Sequence, residues 1–179
     1  MKKTFLILVL LIFSQLAQAS HFVFAPSVTF VSRESENNGV QGADADTSMM
    51  DFKLGYIFDF GLYLGGLYSL IDDSFLSSGS SDFHFGPSVG YYYNGFFVSG
   101  TYYLFAERDF EQGNTKLADV SGYQVDVAYY LPINSLVSIG PQITYHNVEY
   151  KDAQVGGISS ATEYSWKGFT PYIALLFMF

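Results

Sequence analysis

The chain has 179 residues, one domain's worth, of which 49% are hydrophobic and 19% aromatic but only 14% charged, about half the usual charged fraction. That composition excludes a disordered chain, and a net charge of -9, with 8 basic residues that form no cluster, excludes a nucleic-acid partner. Beyond residue 19 the longest unbroken apolar run is Ile173 to Phe179, far below the ~20 residues of a spanning helix, and the absence of cysteine removes disulfides, thiolate metal sites, thiol nucleophiles and a lipoprotein anchor.

The first residues read as an address. Lys2 and Lys3 form a positive start, Phe5 to Phe13 an apolar core too short for a membrane anchor, and Ala17-Gln18-Ala19 a small-x-small cleavage pattern. Residues 1–19 are therefore expected to be a secretory signal, cleaved after Ala19. The mature chain, residues 20–179, keeps 6 basic and 17 acidic residues, a net charge of -11.

Apolar and polar residues alternate along the mature chain with a period of two, and no helix-period stretch appears. The first strand is predicted at about residues 21–32, with Phe22, Phe24, Pro26, Val28 and Phe30 on one face and Val23, Ala25, Ser27 and Thr29 on the other. The second, at about 48–58, sets Met50, Phe52, Leu54, Tyr56 and Phe58 against Asp51, Lys53, Gly55 and Ile57. A third, at about 61–71, and a fourth, at 82–92, lead to Asn94-Gly95, the strongest short hairpin signal because both central residues of a type I′ turn need positive φ.

The fifth strand (96–106) places Phe97, Ser99, Thr101, Tyr103 and Phe105 on the polar face. The sixth (120–131) does so with Gln124, Asp126, Ala128 and Tyr130, and a tight turn at Pro132-Ile133-Asn134-Ser135 opens the seventh (136–150), with Gln142, Thr144 and His146 on that face. The eighth, at about 168–179, ends the chain. Polar stretches at 33–47, 72–81, 107–119 and 151–167 alternate with turns of two to four residues. An even strand count, long connections on one side and short turns with both termini on the other are the signature of an eight-stranded antiparallel transmembrane β-barrel with extracellular loops and periplasmic turns.

A barrel of eight strands is filled by side chains, so the polar face should point inward. It carries Asp51, Lys53, His84, Gln124, Asp126, Gln142 and His146, expected to form a luminal polar network. Lys53 is the only basic residue predicted inside, with Asp51 or Asp126 as its partner, because a buried unpaired charge is costly. Aromatic residues near strand ends on the other face, such as Phe58, Phe83, Tyr91 and Phe96, suit the interfacial girdles of a membrane barrel. Four prolines recur on that outward face, at Pro26, Pro87, Pro141 and Pro171. Proline lacks a ladder donor, and these positions read as barrel bends. Gly66, Pro87 and Gly100 form a small, flat outward patch suited to contact with a second copy of the chain.

The last strand ends Leu175-Leu176-Phe177-Met178-Phe179, with apolar residues at alternate positions back from a terminal Phe. This resembles the C-terminal signal read by the outer-membrane assembly machinery, carried here by Phe177 and Phe179. With the leader and eight alternating segments, the whole mature chain resembles the small outer-membrane barrels of the OmpA, OmpX and OmpW type. The resemblance implies an integral protein of a Gram-negative-type outer membrane, with membrane lipids and the assembly machinery as partners and a homo-oligomer as a further candidate.

Enzymes occur among such barrels, so the three histidines matter. His84 and His146 fall on the inner face near the loop end, where they are expected to pack among polar neighbours, and His21 adjoins the cleavage site. The His-x-Ser pattern of lipid A deacylases is absent from the outer face, and no phosphate cradle, metal triad or Ser-His-Asp order appears. The expected function is therefore non-enzymatic and cofactor-free, an envelope-structural or surface-interaction role. The alternative, implied by the OmpW-like resemblance, is a narrow conduit for small or hydrophobic solutes, and a lipid-active enzyme, which needs a His within reach of a Ser or carboxylate at the bilayer's outer edge, comes third. A conduit needs a water path past Lys53, Tyr63, Tyr103 and Tyr130, or a lateral opening between strands.

Overall fold

Period-two alternation becomes eight barrel strands in the computed structural model, which describes residues 20–33, 36–37, 40–41, 45–75, 78–110, 115–155 and 158–179. The expected signal segment lies outside the described residues. We number the barrel strands β1 (Ser20–Arg33), β2 (Ala45–Phe58), β3 (Leu62–Phe75) and β4 (Ser78–Tyr93), then β5 (Phe96–Tyr102, continued as Phe105–Phe110) and β6 (Thr115–Tyr129, continued as Leu131–Pro132), and finally β7 (Val137–Val155) and β8 (Ile158–Met178). Each pairs antiparallel with its sequence neighbours and β8 pairs back onto β1, so the sheet closes on itself.

The short turns carry the chemistry their geometry requires. Asn94 and Gly95 have φ of 47° and 88°, the left-handed pair of a type I′ hairpin. In the β6–β7 turn the Asn134 Oδ1 accepts from the backbone N–H of Leu136 (2.8 Å) and Val137 (2.9 Å), so the side chain closes the turn.

Inward and outward faces follow the alternation. Val23, Ala25, Ser27 and Thr29 are buried along β1, whereas Leu54, Tyr56, Val89, Val98, Val125 and Ile143 stand exposed on the outside. Two expectations are corrected. The stretches expected as long polar loops are in large part strand: residues 72–75, 78–81, 107–110, 115–119, 151–155 and 158–167 all belong to the ladders. Backbone pairing holds these rims after the outward apolar residues end, and loss of the hydrophobic pattern is not the end of a strand.

The second correction is a one-residue bulge in β5. Ser88 faces Thr101 and Phe85 faces Phe105, so three steps along β4 meet four along β5. Leu104 and Phe105 consequently both point outward, 54% and 63% exposed, and Phe105 is not luminal. The inner face beyond the bulge passes to Ala106, Arg108 and Phe110. Lys53 is therefore not the only basic residue inside. Opposite the bulge, a Cβ on Gly86 would run into the Tyr102 carbonyl, and one on Gly140 would meet that of Tyr129, where β6 is interrupted. Each Gly-Pro step, Gly86-Pro87 and Gly140-Pro141, thus faces a break in the neighbouring strand.

Side chains fill the lumen in layers. At the short-turn end Ile57, Tyr63, Phe97, Tyr130 and Leu176 form an apolar plug. Polar residues occupy the middle, and a second apolar group around Leu67, Tyr103, Leu117, Val148 and Tyr150 lies toward the far end.

Candidate functional site

The middle layer is the candidate site. Lys53 from β2 places its Nζ 3.3 Å from Asp126 Oδ2 on β6 and donates to Gln142 Oε1 on β7 at 3.5 Å. Asp126 also accepts from Ser99 Oγ (3.1 Å), Gln124 Nε2 (2.8 Å), Gln142 Nε2 (3.2 Å) and Thr144 Oγ1 (2.8 Å). Of the two carboxylates weighed for Lys53, Asp126 makes the contact. Asp51 instead accepts from Gln124 Nε2 at 2.7 Å through Oδ2, and its Oδ1 has no protein partner.

The histidines sit one layer further out. His146 is 3.4 Å from the hydroxyls of both Tyr103 and Tyr172, and Tyr103 passes the chain on by donating to Gln124 Oε1 at 2.7 Å. His84 Nε2 bonds the Tyr150 hydroxyl at 3.0 Å and stacks on the Tyr103 ring at 4.7 Å. All seven network residues named from the sequence are thus buried in the lumen, and six are joined by hydrogen bonds through Tyr103. His84 joins through its stack on that ring.

Arg108 forms a second charged group at the far end, which alternation without the bulge puts outside. Its guanidinium lies 3.1 Å from Asp73 Oδ2 and 3.3 Å from Asp82 Oδ1 and donates to Ser80 Oγ at 2.8 Å and to the Tyr164 hydroxyl at 3.1 Å. One side chain on β5 therefore ties β3, β4 and β8 together across the barrel mouth. The signal that could have found it is Gly86-Pro87, a step that cannot keep an unbroken ladder with β5.

Chemically, the middle layer pairs Lys53 with Asp126, holds Asp51 by the Gln124 amide alone, and is shut off from solvent. Lys53, Asp126, His84 and His146 are at most 1% exposed, so both imidazoles are enclosed by their neighbours. Among the described residues no group of three or more His, Cys, Asp or Glu stands where it could hold a metal ion.

The remaining sites named from the sequence lie on the outside and at the seam. Gly66 and Pro87 are register partners, and Gly100 faces Val89 on the next strand. Pro87 and Gly100, with Leu64, Val89, Tyr102 and Val125, line a shallow outward depression of about 510 Å³. Phe179 exchanges two backbone hydrogen bonds with Phe22, at 2.9 and 3.2 Å, and the Phe177 ring stacks on Phe24 at 6.0 Å. Both terminal phenylalanines therefore close β8 onto β1.

Neisserial surface protein A matches this chain over 90% of its length and 100% of its own, at 11% identity and a TM-score of 0.51. The fold is that of a small outer-membrane β-barrel. Two larger barrels match less well. The translocator domain of the autotransporter NalP from Neisseria meningitidis gives 8% identity, 92% and 64% coverage and a TM-score of 0.41. The outer-membrane protein OmpT of Vibrio cholerae gives 12%, 88% and 52%, and 0.37, so this chain spans about half of OmpT. No protein-family model matches the sequence, and no curated protein does.

Proposed function

We propose that the mature chain is an integral outer-membrane protein whose barrel is a closed, non-enzymatic body, acting through its surfaces in an envelope-structural or surface-interaction role. The observation that carries this reading is the filled lumen. Tyr63, Tyr103 and Tyr130 and the Lys53–Asp126 pair, where a conduit would need a water path, are each at most 2% exposed, and the polar layer between the aromatic ones is cross-linked by its own hydrogen bonds.

Membrane placement is supported by the outer surface. Apolar side chains stand exposed on successive strands, among them Leu54, Val89, Val98, Val127 and Ile143 at 45 to 56%, a continuous surface that water would not leave uncovered and lipid would. Its partners on this reading are outer-membrane lipids and, during insertion, the assembly machinery acting on Phe177 and Phe179. The depression at Pro87 and Gly100, beside Gly66, supports self-association as part of the same reading.

Two measurements test it. Cell fractionation is expected to place the mature chain in the outer membrane, and recovery in the soluble periplasm overturns the placement. In a planar bilayer the purified protein is expected to give no steady conductance steps, and reproducible openings return the conduit reading.

A further inference from the structure

The short-turn end of the barrel opens on a concavity of about 540 Å³. Five aromatic rings line it, Phe58 and Phe60 from the β2–β3 side and Tyr91, Tyr92 and Tyr93 from the end of β4. Its shape is fixed by the main chain: the Gly61 N–H donates to the Phe58 carbonyl at 2.7 Å, and the Tyr92 N–H donates to the Gly61 carbonyl at 2.8 Å. Gly61 takes a φ of 92° in this turn, and a Cβ there would run into the Tyr92 carbonyl. The turn is therefore docked on β4 by its own backbone, and the concavity is preformed.

Three polar side chains share the lining, Asp59, His21 and Asn94, and all three are exposed. Among the described residues Asp59 is the only Asp, Glu, Lys or Arg on the short-turn side of the Lys53–Asp126 layer, and it makes no ion pair with any of them. A lone carboxylate among aromatic rings favours an organic cation, which gains an ion pair from the carboxylate and cation–π attraction from the rings. His21 and Asn94 add N–H donors, which suit an anionic group carried on the same ligand. With no described Lys or Arg at hand, a ligand whose only charge is negative is repelled by Asp59.

We infer that this concavity is a headgroup site for an aminophospholipid of the inner, periplasmic leaflet. The primary ammonium pairs with Asp59 among the aromatic rings, and the phosphate takes N–H donors from His21 and Asn94. The acyl chains leave over Tyr91 and Tyr93, both exposed, at the level where a membrane barrel carries its interfacial aromatic girdle. A choline headgroup lacks the N–H that a carboxylate accepts, and a glycerol headgroup lacks the cation. The inference rests on the membrane placement proposed for the chain and adds to it a ligand class and a site, leaving the polar plug closed.

Lipid retention by the mature protein, measured by native mass spectrometry from a gentle detergent, tests the site. Dioleoylphosphatidylethanolamine is expected to bind about tenfold more tightly than dioleoylphosphatidylcholine or dioleoylphosphatidylglycerol, a difference of about 1.4 kcal/mol. Asp59→Asn is expected to erase that preference, and Phe60→Leu to reduce it about threefold, the share of one exposed cation–π contact. If Asp59→Asn does not fold, Phe60→Leu carries the test. No preference in the parent, or one that the folded variants retain in full, overturns the site. Binding of soluble O-phosphoethanolamine, with no retention of phosphatidylethanolamine, overturns the bilayer as the source. An α-ammonium at Ser20, whose ladder partner is Phe58, is the rival cation. Retention that appears only once that amine is acetylated assigns the concavity to the chain's own terminus and overturns the lipid as its occupant. Cell fractionation separates the two readings. Protein recovered in the outer membrane without a headgroup preference fails the site alone, and recovery in the soluble periplasm fails the membrane placement with it.

Discussion

Lys53 and Asp126, on strands four apart in the barrel order, meet at 3.3 Å with 1% and 0% of their side chains exposed. Their attraction acts in a low dielectric, and four further donors, from Ser99, Gln124, Gln142 and Thr144, converge on the same carboxylate. Lys53→Met removes the only cation among the described residues in contact with that carboxylate and leaves a buried charge behind. Denaturant unfolding in detergent micelles is expected to show a loss of about 3 to 5 kcal/mol. Adding Asp126→Asn, which removes the stranded charge, is expected to recover part of it. An unchanged midpoint for Lys53→Met would show that the pair holds nothing together.

Arg108 is tied at the mouth to groups of unequal burial: its own side chain is 11% exposed, that of Asp82 2% and that of Asp73 34%. Asp73 accepts a hydrogen bond from the guanidinium but is open to screening by solvent, whereas Asp82 is buried and meets it as a charge contact without a hydrogen bond. Arg108→Ala is expected to cost about 1.5 to 3 kcal/mol, the range for a lost hydrogen-bonded charge, and to let proteases cut the far-end hairpins of β3–β4 and β5–β6 faster. Asp73→Asn is expected to do much less in the same digestion.

The barrel was legible in the sequence because each of its determinants is local. Asn94-Gly95 names its own turn, alternation assigns faces strand by strand, and the luminal set around Lys53 and Asp126 follows once a narrow barrel must be filled. Arg108 was not legible, because its inward position depends on the bulge at Leu104 and Phe105, opposite Gly86 on the neighbouring strand. A one-residue insertion inverts every later side chain, and alternation read along one strand cannot register it. The strand ends were hidden for a different reason: above the apolar band the ladder continues on hydrogen bonds between polar residues, which carry no hydrophobic pattern.

Gly86→Ala tests that dependence. Its Cβ would strike the Tyr102 carbonyl, so either the bulge moves or the ladder parts. A destabilisation of about 1 to 3 kcal/mol is expected, the cost of overpacking, with increased protease access at β5. Gly66→Ala serves as control, since the nearest atom to its added Cβ is 3.6 Å away, an ordinary contact, and its midpoint is expected to stay close to the parent's. Equal effects at the two positions would remove the bulge as the cause.

Phe179 closes the barrel by exchanging backbone hydrogen bonds with Phe22, while its side chain is 61% exposed and its ring stands 6.2 Å from that of Phe22. The bonds are made by the main chain and survive substitution, whereas the exposed ring is what another protein could read. Phe179→Asp is therefore expected to lower the amount of chain reaching the outer membrane, with export across the inner membrane unchanged. The same protein refolded from denaturant into micelles is expected to form the barrel with near-parental stability. A variant that inserts normally in cells would show that the terminal ring is not part of the assembly signal.

Gly100 offers the corresponding test of the outer surface. A Cβ there meets nothing within 4 Å, so Gly100→Leu is expected to fold with unchanged stability while filling the depression it shares with Pro87. In lipid, apolar surfaces gain little from leaving their solvent and associate through close packing, which small and flat residues allow. Filling the depression should therefore act on association alone. Native mass measurement in a gentle detergent is expected to find an oligomer for the parent and a larger monomer fraction for Gly100→Leu. A strictly monomeric parent, or an oligomer indifferent to the substitution, leaves Gly100 with only the role of relieving strand curvature.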